Sequence, residues 1–113
     1  MIKSKIVLAV ILFAATAAQA AEVLIPRSIG GDQGRYFLLS KTTQGNVVKT
    51  LHKRVGPDSV GFTIVETNCA TMKQRTMGYG EDSPKNIEMM PTKWYDLVRH
   101  SSKSDLALFV CKR

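Results

Sequence analysis

Two cysteines, Cys69 and Cys111, restrict the folding of this chain more than any other residues, because they are its only thiols and stand 42 positions apart. If they are joined, the end of the chain is pinned to its middle and the intervening segment becomes a closed loop. The bond is expected where the chain is exported, since disulfides persist in oxidising compartments. Two buried free thiols are the alternative. In the chain-entropy description, closing a loop of this length stabilises by about 4 kcal/mol.

The first residues supply the argument for export. Met1-Ile-Lys-Ser-Lys5 is a short basic start, Ile6 to Ala15 is an apolar run, and Ala18-Gln-Ala20 has the small-x-small form that signal peptidase accepts. A cleaved signal peptide over residues 1–20 is therefore expected. The apolar run falls short of the roughly 20 residues that span a bilayer, and no cysteine near the cleavage site offers a lipid attachment point. The mature chain is expected to be soluble, and periplasmic, secreted or at the cell surface. It retains 93 of the 113 residues, enough for one small domain.

Charge narrows the partners. Losing Lys3 and Lys5 with the signal lowers the formal net charge from +7 to +5. This favours a protein or an anionic component of the envelope or host. The basic residues are scattered rather than blocked, so nucleic acid is not the expected partner.

Residues 21–34 contain Pro26, Gly30, Gly31 and Gly34 without periodicity and are expected to form a flexible lead-in; residues 35–113 form a single domain. Ser28-Ile-Gly-Gly-Asp-Gln-Gly34 lacks the strand–loop–helix setting and the Gly-Lys-Ser/Thr of a phosphate loop. Arg35–Ser40 reads as the first strand, with turn residues at Thr42–Asn46. The β-branched valines of Asn46–Val55, with Gly56-Pro-Asp58 after them, favour a strand entering a hairpin with Val60–Asn68. There Val60, Phe62 and Ile64 point to one face, and Thr63 and Thr67 to the other. A turn near Cys69-Ala-Thr71 leads into a strand over Lys73–Tyr79, which completes a meander.

Beyond Tyr79, Gly80–Asn86 is a surface loop and Ile87–Pro91 a short edge strand ended by proline. Trp94 and Tyr95 are expected in the core, where large aromatic rings contribute most. Ser101-Ser-Lys-Ser104 offers capping oxygens to a short helix whose Leu106, Phe109 and Val110 share one side. The expected fold is α+β, a small antiparallel meander of about four strands with a short C-terminal helix tied on by the disulfide.

Gly45-Asn-Val-Val48, the strand ending in Cys69, the basic strand with Arg75 and Tyr79, and Trp94 followed by the serine-rich cap and Cys111 together carry a resemblance. The chain resembles the surface-adhesin protein E-like family of exported bacterial domains over roughly residues 36–111. The resemblance implies a compact sheet with a helix, the Cys69–Cys111 bridge, and a binding role at the bacterial envelope. It departs from the family in lacking the lipobox cysteine, and in having Arg99-His-Ser-Ser102 where a Pro-Gly-Ser turn is frequent.

No catalytic constellation stands out. His52 and His100 have no nucleophile assigned to them by sequence, and Ser101 and Ser102 fit a helix cap better than an attacking group. No paired ligand spacing points to a metal, and no cofactor is expected. The functional lead is a cationic patch, with Lys49, Lys53 and Arg54 on one strand and Lys73 and Arg75 on another. The chain is thus expected to be a non-enzymatic envelope binding module, adhesin-like or an accessory subunit of an envelope or secretion assembly. The alternative is a small secreted or periplasmic inhibitor of a hydrolase such as lysozyme, presenting the acidic loop Gly78–Pro84.

Overall fold

A computed structural model describes residues 21–112. The expected signal peptide lies outside the described residues. Four long strands form the body of the fold: β2 (Arg35–Gln44), β3 (Val47–Val55), β4 (Val60–Asn68) and β5 (Lys73–Glu81). Each pairs antiparallel with the next. A two-residue β1 (Val23–Leu24) flanks β2, while β6 (Glu88–Met89) and β7 (Tyr95–Asp96) both pair with β5. Helix α1 (Ser102–Cys111) closes the chain. The expected antiparallel sheet, C-terminal helix and Cys69–Cys111 disulfide are all present.

Local chemistry accounts for the joints. Gly45 takes φ of 62° in the two-residue loop between β2 and β3, a conformation that costs glycine nothing. Asn68 turns the chain from β4 to β5, its Oδ1 accepting the Ala70 and Thr71 N–H groups at 2.9 and 3.1 Å. Ser101 caps α1, accepting the Ser104 N–H at 3.1 Å. At the far end of the helix the disulfide holds the Cys69 and Cys111 Cα atoms 5.5 Å apart.

The helix covers the face of β4 that carries Val65 and Thr67. Cross-strand pairs Val48↔Thr67 and Thr50↔Val65 point to α1, and Val65 and Thr67 are 0% exposed. They pack with Ile25, Tyr36, Leu106 and Val110 into the core. Gln74, also 0% exposed, ties the helix to β5 by donating to Thr67 Oγ1 and to the Lys103 carbonyl, each at 3.0 Å. Val60, Phe62 and Ile64 lie on the opposite face. There Gly80, opposite Phe62, leaves room for the Asn86 and Ile87 backbone to fold over the sheet: a Cβ on Gly80 would fall 2.4 Å from Asn86. Both faces are therefore partly covered, which is why Phe62 is buried as well.

Three expectations are corrected. Residues 21–34 are not a loose lead-in but a strap packed on the domain. Ile25 is 2% exposed in the core, and Arg27 and Ser28 are clamped to Asp105 of α1 by Nε and backbone N–H donors at 2.7 and 3.0 Å. Of the three glycines that suggested mobility, Gly34 provides clearance instead: a Cβ there would stand 2.4 Å from Arg54 Nε, whereas Gly30 and Gly31 have open space around them. Strand β2 runs on through Thr42 and Thr43 to Gln44. Trp94 is not core; it is 38% exposed, with the Arg75 guanidinium 4.8 Å from its ring centre.

Candidate functional site

Helix α1 has ten residues and so spans about 15 Å, whereas the nine-residue strands beneath it run about 30 Å. It cannot roof the whole face. Its C-terminal end is fixed at Cys69, so the part left open is the end carrying Arg54, Gly61 and Tyr79. A cleft of about 340 Å³ lies there between the start of α1 and the sheet. Tyr36 of β2, His52 and Arg54 of β3, Gly61 and Thr63 of β4, and Thr76 and Tyr79 of β5 form its floor and sides, with Ser59, Ser102 and Lys103 at the margins. Alternation puts His52 and Arg54 on the face that Val48 and Thr50 already define.

The interior is polar and cationic. Arg54 is held in place by Asp32 of the strap at 2.6 Å, and Asp32 also accepts from the Tyr36 hydroxyl and from the Gly34 N–H at 2.8 Å. Hydrogen bonds from Arg54, Tyr36 and Gly34 keep the Asp32 carboxyl well below the usual carboxylate range. Tyr79 hydrogen-bonds Glu81 at 3.3 Å at the rim; burial, then the Glu81 charge, raises its phenol. Lys103 forms no ion pair among the described residues. His52 Nδ1 is buried with no hydrogen-bond partner.

That imidazole has a measurable consequence. Burial, and then the nearby Lys103 charge, pull His52 from its ordinary 6.5 to about 4. The unfolded chain therefore binds a proton between those values that the folded chain refuses. His52 costs nothing above pH 6.5, and stability is lost as the pH falls from 6.5 to 4, by about 3 kcal/mol at most. Urea midpoints at pH 7 and pH 4.5 test this. A His52→Gln variant should lose much less stability across that interval than the parent; equal losses would remove His52 as the cause.

The five cationic residues expected to form a patch are divided between the faces. Lys49, Lys53, Lys73 and Arg75 occupy the face away from α1, and Arg54 points into the cleft. Four of the five are ion-paired: Lys53 with Glu22 at 2.6 Å, Arg54 with Asp32, Lys73 with Asp96 at 3.2 Å and Arg75 with Glu66 at 2.8 Å. Lys49 lies across from Glu66 in the pairing of β3 with β4. The acidic segment Gly78–Pro84 is strand as far as Glu81 and then closes into a tight 3-10 turn at Pro84–Asn86, so it does not project as a loop.

His100 Nδ1 lies 3.0 Å from Ser28 Oγ, while Ser28 N–H donates to Asp105. Activation of a hydroxyl requires the imidazole between hydroxyl and carboxylate. Here the serine occupies the middle position, and the pair is exposed. Among the described residues, no group of three or more His, Cys, Asp or Glu side chains is placed to hold a metal.

Tyr36, Thr63, Thr76, Tyr79 and Lys103 of the cleft were not assigned to a site by sequence. The available signal was the pairing of Val65 with Thr67 on one side of β4, which assigns His52 and Arg54 to the helix side of β3. Comparison of the chain with protein-family models, curated proteins and solved structures finds no match.

Proposed function

We propose that this chain is an exported binding module of the bacterial envelope that captures its partner without covalent chemistry, through the cleft at the start of α1. The cleft is the observation that carries this reading: it gathers two cations, several hydroxyls and two tyrosine rings in one concave site. The disulfide supports a compartment outside the cytoplasm. No helix among the described residues is long and apolar enough to cross a membrane. Small disulfide-tied sheets of this kind suit recognition because their rigid strands hold side chains in fixed positions at little further entropic cost.

Photo-crosslinking in cells tests both halves of the proposal. A photoreactive residue at Tyr79 in the cleft should give a discrete adduct in the periplasmic, surface or secreted fraction, with a mature chain beginning at Ala21. The same residue at Lys49, on the other face, should give none. Adducts from Lys49 but not from Tyr79, or a chain retained in the cytoplasm, would overturn the reading.

A further inference from the structure

Resting on that binding role, we infer that the partner is a protein, an extended segment of which lies across the cleft and seats two bulky apolar side chains in hollows on either side of it. Both hollows share a wall with the cleft. One, of about 270 Å³, is bounded by Thr76 and Tyr79, which also line the cleft, and by Gly78, Glu88 and Met90. The pairing Tyr79↔Glu88 puts Glu88 on the helix side of the sheet with Tyr79, and Met90, two residues on, returns to that side. The other, of about 320 Å³, adjoins the cleft at Lys103 and is walled by Tyr95, Leu97 and Val98. The Thr76 and Tyr95 hydroxyls, 2.8 Å apart, tie the walls of the two hollows together.

The apolar groups of these hollows are exposed, yet held in place. Tyr79 is 49%, Met90 70% and Val98 72% exposed. Apolar exposure gathered beside a concave site marks a surface that another molecule covers. The Met90 N–H donates to the Met77 carbonyl at 2.8 Å and the Thr92 N–H to the Thr76 carbonyl at 2.9 Å, so the segment carrying Met90 is stitched to β5. The Ser101 N–H donates to the Val98 carbonyl at 3.0 Å and closes the turn behind that side chain. Backbone fixed in this way loses little further freedom on binding, while the methionine thioether adapts to the shape of an apolar guest.

The order of polarity along the groove identifies the occupant. Met90 and Tyr79 come first, Ser59, Thr63 and Arg54 lie in the middle, and Tyr95, Leu97 and Val98 come last. An extended peptide has the same order, because its anchoring side chains are separated by backbone C=O and N–H groups that need partners. An acyl chain would desolvate Thr63 and Arg54 without giving either an acceptor. A sugar would leave Met90 and Val98 uncovered. A second copy of this chain would bring its own Arg54 and Lys103 against the first, like charge on like charge. Alternate side chains of an extended segment point the same way about 7 Å apart, so the two anchors occupy positions i and i+2 or i and i+4.

The test titrates the oxidised mature chain with synthetic peptides while following backbone amide and methionine methyl NMR signals. Two carry a pair of leucines, acetyl-Ser-Leu-Ser-Leu-Ser-amide and acetyl-Ser-Leu-Ser-Ser-Ser-Leu-Ser-amide, and a control carries one, acetyl-Ser-Leu-Ser-Ser-Ser-Ser-Ser-amide. At least one paired peptide should shift Tyr79, Met90 and Val98 together and saturably, and bind at least tenfold more tightly than the control. Met90→Glu and Val98→Asp, both at exposed positions, should each reduce that binding to the level of the control, while Lys49→Glu leaves it unchanged. Equal binding of the three peptides, shifts confined to one hollow, or no shift at all would overturn the two-anchor segment. The binding role would then stand if Tyr79 still crosslinks in cells, and would fall with it if only Lys49 does. Octanoate binding more tightly than any peptide would assign the groove to an acyl chain, and a dimer in sedimentation velocity that Val98→Asp dissociates would assign it to a second copy; either result overturns the inference.

Discussion

Reducing the Cys69–Cys111 bond is expected to lower the unfolding free energy by about 4 kcal/mol. The bond closes a 42-residue loop, and most of its effect comes from the disorder it denies the unfolded chain. Small domains are stable by only about 5–15 kcal/mol in total, so this is a large share. The native side of the balance also suffers. Cys69 and Cys111 both pack against the core, and the bond anchors the end of α1 whose start lines the cleft. Urea unfolding followed by circular dichroism, with and without reductant, gives the number directly. A variant with both Cys69→Ser and Cys111→Ser should match the reduced parent. A difference below about 1 kcal/mol would show that packing alone holds α1 in place.

Asp105→Asn should cost about 1.5–3 kcal/mol, because it weakens two charge-assisted hydrogen bonds at a buried carboxylate while Arg27 keeps Asp32 at 3.6 Å. Asp105 is 5% exposed and accepts Arg27 Nε and the Ser28 N–H. Burial alone would raise its carboxyl, but the Arg27 and Ser28 hydrogen bonds outweigh it and leave the group below its ordinary value. Its contribution is therefore present above the unfolded carboxylate value, near 3.9, and is lost as the pH falls through the folded one. Loss of the clamp should free the strap before the sheet. Hydrogen exchange should show the Ile25 amide, bonded to the Tyr36 carbonyl at 2.8 Å, losing protection ahead of β3 and β4. Replacing the pair together, Arg27→Met with Asp105→Leu, should recover much of the loss. If Asp105→Asn shifts stability by less than about 1 kcal/mol, the strap is held by Ile25 and not by the clamp.

The body of the sheet was legible because its information is local. Val60–Asn68 alternates, carries β-branched residues and is bracketed by turn formers, and its limits match β4. Val47–Val55 and the capping serine were readable for the same reason. The strap was not: Arg27 meets Asp105 across 78 positions of sequence, and nothing near Pro26 or the glycines records a partner so distant. Gly34 illustrates the ambiguity, since absence of a side chain signals freedom in the unfolded chain and close approach in the folded one. Alternation in β4 identified two faces but not which one the helix would choose, and Phe62 competes with Val65 for that role. Trp94 has the area to anchor a core, yet Arg75 supplies a stacking partner at the surface. The cleft depends on the difference in length between one helix and the strands beneath it, and on where a disulfide fixes that helix. Neither is written in any single stretch of the chain.

The position of the disulfide also determines how the domain would respond to being pulled. A force applied between residue 21 and residue 112 enters the C-terminal side at Cys111 and passes through the bond to Cys69. The segment between them, which includes β5 and α1, carries no tension along its backbone. At about 3.5 Å per residue it hides roughly 150 Å of contour length that extension cannot reach while the bond is intact. At the other end the load falls on the strap, where the Glu22–Lys53 ion pair, two paired positions between β1 and β2 and the buried Ile25 would give way in turn before the Arg27–Asp105 clamp. In flowing liquid, the domain would therefore yield first at its leading strap and last at the helix beside the cleft.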